Sequence, residues 1–401
     1  MSAWKKTMYA AWVGQVLSIL GFSCVTPFLP FYIRHLGVTG ESDVRIWAGL
    51  VGAAAGVSLV LFSPVWGVLA DRFGRKPMVL RSMFGGAAVL ALMGFCQNVE
   101  QLLICRFIQG TLTGTVTASI TLVASVAPRT RVGFALGMMG SAVYVGNSVG
   151  PLLGGMVAAH LGYRAAFITA AVVLMSGGVL VKVGVRENFT PIAKEDKGGR
   201  GSFAEVFAGV GFLAVVFAFF AIRFGTSVVM PVFPLFVEAL SGPATNAVTM
   251  TGAIVSVGGV ASAVASALFG RFGDGWGHRR MLIASSSFVA VVSCLHAAAQ
   301  GVVHLFALRV LLGVGVGVMI PAINAIIRNV THDKNLGRAY GATTSLTFIG
   351  YILGPLAGGY VGAGLGLRAP FVLMGVAFAA AAFLVKWRVR TDAPSEAPKA
   401  A

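Results

Sequence analysis

Long apolar stretches alternate with short polar ones along almost the whole chain. Twelve of them reach the roughly 20 residues that a helix needs to cross about 30 Å of hydrocarbon. They run over 9–33, 46–69, 79–97, 101–125, 134–159 and 165–185, and then 207–237, 250–269, 281–299, 303–327, 339–362 and 369–387. The pattern predicts an all-α polytopic membrane protein with 12 transmembrane helices. Lys5 and Lys6 ahead of the first stretch suggest a secretory leader. Its apolar run is longer than a typical leader core, however, and no A-x-A-like cleavage site follows, so a retained helix is expected.

The same stretches pair up between two halves. SPVWGVLADRFGRKPMVL at 63–80 returns 203 positions later as SALFGRFGDGWGHRRMLI at 266–283. Pro27 and Pro30 match Pro231 and Pro234, while Arg106, Gly110 and Gly114 match Arg309, Gly313 and Gly317. GPLLGG at 150–155 returns as GPLAGG at 354–359, and GYRAAF at 162–167 as GLRAPF at 366–371. One ordered set of landmarks at a long offset of 203 or 204 means a tandem duplication, because a solenoid would repeat at a far shorter period. Two pseudo-symmetric six-helix bundles are expected, over 1–186 and 204–390. The mixed-charge stretch 187–203 joins them as a solvated linker on the cytoplasmic side, and the polar tail 391–401 is expected to be disordered.

Composition agrees. With 57% apolar and 11% charged residues and a mean hydropathy of +0.86, the chain lacks the polar surface of a water-soluble globule. A net charge of +17 would suggest nucleic acid in a soluble protein. Here its placement decides otherwise. Lys5 and Lys6, Arg72 to Arg81, Arg129 and Arg131, Lys182 to Arg200, Arg271 to Arg280, Arg328 to Arg338 and Lys386 to Arg390 occupy alternate loops. The opposite loops hold little beyond Arg34, Arg45, Arg164 and Arg368. By the positive-inside rule both termini are cytoplasmic, in a multi-pass protein of the inner (plasma) membrane. Cys24, Cys96, Cys105 and Cys294 show no metal-ligand spacing, the six histidines form no HExxH-like pair, and no Gly-Lys-Ser/Thr occurs. No enzyme activity, metal or cofactor is expected.

Twelve spans in two parallel repeats are the arrangement of secondary transporters, with a substrate site between the halves near the midplane. Three motifs then carry a specific resemblance. GVLADRFGRK, Gly67 to Lys76, resembles the loop between helices 2 and 3 of the major facilitator superfamily. ICRFIQG around Arg106 is similar to its helix 4 motif, and GNSVGPLLGG, Gly146 to Gly155, to the helix 5 motif of its proton-driven, twelve-helix drug:H+ antiporters. The resemblance covers almost the whole chain. It implies a proton-coupled exporter of drugs or similar amphipathic compounds, monomeric and working by alternating access with small-molecule substrate, protons and lipid as its partners.

Each motif also has a plainer reading. Gly67 and Gly74 permit a tight turn, and Arg72, Arg75 and Lys76 could simply anchor a basic loop; the resemblance makes Asp71 the centre of a conformational latch. Gly146, Gly150 and Gly154 present a smooth face for close helix packing, and Pro151 a kink. The resemblance adds that this face, with Gly155, seals against the other half, and helix 11 repeats it at Gly350, Gly354, Pro355, Gly358 and Gly359.

Charges inside the membrane cost about 2.5 to 3.5 kcal/mol each on insertion scales, so each is a site candidate. Arg106 and Arg309 lie about a turn and a half from the outer ends of helices 4 and 10, where snorkelling competes with a functional role. Arg223 falls near the midplane of helix 7 and is the leading pocket charge. Helices 1, 4, 7 and 10 would line the cavity by family analogy, offering Gln15, Phe22, Thr26, Thr113, Thr117, Phe224, Met230 and Asn324, with Met138 and Tyr144 from helix 5. The chain departs from many relatives in lacking a carboxylate inside the N-terminal spans. Proton coupling is left to Arg106, Asp71, Glu100 and Glu238, and an Arg223 without a counter-ion favours anionic, zwitterionic or neutral substrates. A facilitator or symporter of a defined metabolite (sugar, siderophore or organic anion) is the alternative, and a non-transporting scaffold or receptor a third. Because GVLADRFGRK is complete while GRFGDGWGHR loses the basic order, Asp71→Ala is expected to cripple transport and Asp274→Ala to reduce it less. Equal loss in an uptake or efflux assay would make both hairpins plain topological anchors.

Overall fold

The computed structural model describes residues 3–128, 131–187, 210–242, 246–330 and 336–389; most of the expected linker and all of the expected tail lie outside them. The first half comprises α1 (Ala3–Ser23), α2 (Leu29–His35), α3 (Glu41–Phe73), α4 (Arg75–Met93), α5 (Val99–Leu112), α6 (Thr115–Val126) and α7 (Val132–Gly184). The second comprises α8 (Val210–Val228), α9 (Phe233–Leu240), α10 (Ala247–Trp276), α11 (His278–Ala297), α12 (Val302–Val330), α13 (Leu336–Leu365) and α14 (Ala369–Arg388). Among the described residues nine helical stretches are long and apolar enough to cross a membrane, and α8 with α9, bent by 45°, makes a tenth. The first expected span, 9–33, is shared by α1 and α2, which meet at the short turn before Leu29. The 53-residue α7 covers the expected spans 134–159 and 165–185, and breaks between them at Gly162, where φ is 84°.

Each half has its own apolar core. Two seams of close backbone contact organise these cores. Along α7, Gly146 lies on Ile19 and Gly150 on Leu20 and Ser23 of α1, and Gly154 on the carbonyl of Cys24 just after it. Along α13, Gly350 lies on Phe220 and Arg223, Gly354 on Ser227 and Gly358 on the Val228 carbonyl, all of α8. The three spaced glycines therefore pack inside their own half. The rest of the motif turns the other way: Gly155 meets Val248 and Gly252 of α10, Gly252 meets Pro151, and the Leu152 N–H beside that proline donates to Ser256 Oγ at 3.1 Å. In parallel, Gly49 of α3 meets Pro355 and Gly359 of α13. Small residues thus serve both seams within halves and crossings between them.

At the Asp71 end the halves separate. Val68, Phe73 and Trp276 are exposed, and a Cβ at Gly67, Gly133, Gly137 or Gly140 would meet nothing within 4 Å. At the opposite end they are joined. Arg34 bridges Glu238 of the second half at 2.6 Å and Glu41 at 2.7 Å, Arg45 approaches Glu41 at 3.7 Å, and Arg45 Nη1 donates to the Gly362 carbonyl at 3.0 Å.

A side chain at Gly154 would fall inside the Cys24 backbone, whereas one at Gly137 enters open space. Gly154→Leu is expected to destabilise the protein by about 1–3 kcal/mol or more by overpacking, and Gly137→Ala to leave it unchanged. Thermal unfolding of the two purified variants in detergent checks the contrast.

Candidate functional site

A cavity runs between the halves in two lobes that share Thr26 and Met230. The larger, about 510 Å³, lies between α3 and α13 and is closed above by the crossing of Gly52 with Pro355. Arg106 of α5 and Arg223 of α8 both line it, with Gln109, Tyr351 and Thr347 as its main hydrogen-bonding side chains. Arg106 Nη1 donates to Gln109 Oε1 at 3.0 Å, and the Arg223 guanidinium stands 5.5 Å from the Phe219 ring. The Nε of each arginine is buried without a hydrogen-bond partner. No described lining residue of either lobe is a carboxylate. A ligand anion about 4 Å from one guanidinium would gain about 4 kcal/mol at an effective dielectric of 20, and a cation would lose as much. The lobe thus sets two guanidinium groups and no carboxylate beside apolar walls.

The candidates divide. Phe22, Thr26, Thr113, Met230, Arg106 and Arg223 line the larger lobe, but Gln15, Thr117, Met138, Tyr144, Phe224 and Asn324 line neither. Thr117 and Asn324 are exposed. Phe224 stacks on Phe220, and Tyr144 donates across the halves to Ser266 at 3.4 Å. The Gln15 amide is buried without a partner. Gln109 and Tyr351 were not among the candidates, and Pro355 entered only as part of the helix 11 motif. Gln109 was within reach of sequence reasoning, because it sits three residues after Arg106 and so on the same helix face.

The motif between α3 and α4 is fixed mainly to its own half. Gly74, with φ 95°, turns the chain, and Glu187 then caps α4, accepting from the Arg75 and Lys76 backbone N–H groups at 2.9 and 2.7 Å. Lys76 Nζ in turn donates to the Lys182 and Val185 carbonyls at the end of α7. Arg279, the counterpart of Lys76, donates likewise to the Lys386 carbonyl of α14. Asp71 is exposed and has no ion-pair partner among the described residues. The side chain of Asp274 lies outside the described residues. Glu100 is exposed in the first turn of α5, and Glu238 carries the bridge to Arg34.

Just inside the larger lobe the helix opens between α5 and α6, where Gly114 has φ 123°. The carbonyls freed there find side chains, as they must in hydrocarbon. Trp66 Nε1 donates to Thr111 O at 2.7 Å, and Arg81, stacked 3.5 Å from the Trp66 ring, donates to Thr113 O at 3.2 Å. Thr115, which opens α6, bonds Ser18 and Ser82 through its hydroxyl. The matching Gly317 lies inside the unbroken α12.

The sequence profile described as Major Facilitator Superfamily matches residues 11–251 and 215–401. The chain belongs to that superfamily. Among its relatives are the Multidrug resistance protein MdtG of Rahnella sp. (strain Y9602), 36% identical over 92% of this chain and 90% of the relative, and that of Klebsiella pneumoniae (strain 342), 36% identical over the same shares. Superfamily folds among solved structures include the human organic anion transporter MFSD10 (TETRAN), with TM-score 0.70 and 18% identity, covering 96% of this chain and all of that one. A bacterial homologue of the human lysosomal transporter Spinster, inward-facing and occupied, gives TM-score 0.78 at 13% identity, covering 96% and 97%. Membership of the superfamily, with these relatives, makes the chain a secondary transporter and not an enzyme.

Gly114→Ala forces an L side chain into a conformation it rarely adopts, at about 1–3 kcal/mol. Lowered thermal stability with a slowed transport rate is expected, and Gly140→Ala, beside open space, is the control.

Proposed function

We propose that this chain is a proton-coupled secondary exporter of drugs and other small amphipathic compounds, with a preference for those bearing negative charge. It works by alternating access as a monomer. It crosses the inner membrane twelve times, with both termini in the cytoplasm. Residues 1–186 and 204–390 form the two rocking bundles, and 187–203 links them. Similarity to multidrug resistance proteins over nine-tenths of the chain supports export, and the loop charges support the orientation. In that orientation the Arg34–Glu238 end is external, so the cavity faces the cytoplasm and is sealed from outside.

The observation that carries the reading is the pair of guanidinium groups, Arg106 and Arg223, in one cavity wall without a lining carboxylate. Among the acidic candidates Glu238 fits proton coupling best, because its charge is part of an ion pair that spans the two bundles. Protonation from outside would remove that pair and release the external contact. Asp71 is the centre of the cytoplasmic latch, which forms when the exposed ends of α3, α7 and α10 come together. Pro151 and Gly155 at the α10 crossing keep the external side tight.

The test is purified protein in liposomes with an imposed pH gradient, given a lipophilic sulfonate and a quaternary ammonium compound of matched size. Substrate-induced proton flux is expected for the sulfonate, falling tenfold or more in Arg223→Gln, and Glu238→Gln should transport without dependence on the gradient. Absence of proton flux with every compound refutes antiport. Transport of the ammonium compound undiminished by Arg223→Glu refutes the charge preference.

A further inference from the structure

The smaller lobe, about 320 Å³, is the larger one's copy under the duplication. Ala48, Gly52, Gly56, Arg106, Gln109 and Pro355 line the larger lobe, and their counterparts Thr251, Val255, Gly259, Arg309, Leu312 and Pro151 line the smaller. The two lobes therefore flank the Thr26–Met230 junction at the same depth, one between α3 and α13, the other between α10 and α7.

The differences are informative. Gln109 accepts from Arg106, but its counterpart is Leu312, and Arg309 has no side-chain hydrogen-bond partner among the described residues. Its guanidinium rests 4.5 Å from the Phe233 ring, which favours the charge without neutralising it. Elsewhere the smaller lobe has gained hydroxyls: Ser262 stands where the larger has Leu59, and Thr226 where it has Phe22. Asn147, also in the lining, has no side-chain hydrogen-bond partner among the described residues. A cation that has lost its neighbouring amide, in a lobe where the gained hydroxyls are offset by Val316 in place of Thr113 and where no lining residue is a carboxylate, is not explained by packing. The charge calls for an anion supplied from outside the chain.

We infer that the lobe around Arg309 is a second binding site for the anionic group of an amphipathic ligand, distinct from the site at Arg106 and Arg223. The inference rests on reading the cavity as the substrate site. Two small anions then bind one chain together, or one longer ligand places its charge in one lobe and its apolar body in the other.

The test is scintillation-proximity binding of tritiated naphthalene-2-sulfonate to the purified full chain in detergent. Two sites per chain are expected in the parent protein and one in Arg309→Gln, while Arg309→Lys keeps the second site at reduced affinity. The site that survives in Arg309→Gln shows that the variant is folded, and adding Arg223→Gln should weaken it tenfold or more. A single site per chain, untouched by Arg309→Gln and lost with Arg223→Gln, overturns the second site and leaves the main one standing. Absence of saturable sulfonate binding in the parent protein, alongside saturable binding of a quaternary ammonium analogue, overturns both.

Discussion

Hydrocarbon offers helices no hydrophobic reason to associate, so their packing rests on how closely the backbones can approach. In this chain that approach is set by glycines spaced four apart on α7 and α13, each seated on a carbonyl or Cβ of α1 or α8. Everything else is arranged around these two seams. They make each half a stiff body and fix the depth at which α1 and α8 stand, and with it the places of Thr26, Met230 and Arg223. Contacts between the halves also run along whole helix pairs: α3 meets α13 from Gly49 on Gly359 to Gly56 on Ile352, and α7 meets α10 from Gly155 on Val248 through Gly259 on Ser148 to the Tyr144–Ser266 bond. The interface that must change in a transport cycle is thus closely packed too, and the ion pairs lie at one end of it.

The duplication gives the frame, and the chemistry lies in its departures. Gly146 packs on Ile19 and its counterpart Gly350 packs on Arg223, so the same structural niche holds an apolar side chain in one half and a cation in the other. Lys76 and Arg279 cap the ends of α7 and α14 alike, but Glu187, which caps α4, corresponds to Arg390. The completeness of the first hairpin motif therefore has a physical partner outside the motif itself. The break at Gly114 is a third departure, since Gly317 lies within a continuous helix and has no counterpart of the Trp66–Arg81 stack, those positions being Phe269 and Ala284.

What could be read from sequence follows from these facts. Apolar length made the membrane-crossing helical stretches legible, and depth along helix 7 pointed to Arg223, which lines the larger lobe. Depth along the other helices was not legible. Thr117 and Asn324 lie beyond the lobes, four residues after Thr113 and eight after Val316. Met138 is on a suitable helix but about two and a half turns before Asn147, the nearest lining residue on it. The α5–α6 break carried only a glycine as its signal, and that glycine recurs where the helix continues. The Glu187 cap and the Arg34–Glu238 bridge join residues 112 and 204 positions apart, beyond any local pattern.

The bridge at the Arg34 end also bears on the balance between conformations. It exists at one end only, so it stabilises only conformers closed at that end, whereas the glycine seams stabilise every conformer equally. Its partners remain 29% and 41% exposed, and ion pairs of that kind contribute at most about 1 kcal/mol. The crossings of Gly49 with Gly359 and Gly155 with Gly252 add dispersion contacts but no buried charge. A ligand shifts an equilibrium between two conformers by its difference in affinity between them. With an anionic substrate, as proposed, the guanidinium groups of the cavity supply that difference. An anion recovers the cost of their burial wherever they surround it, and the halves settle in whichever arrangement brings the arginines nearest to it.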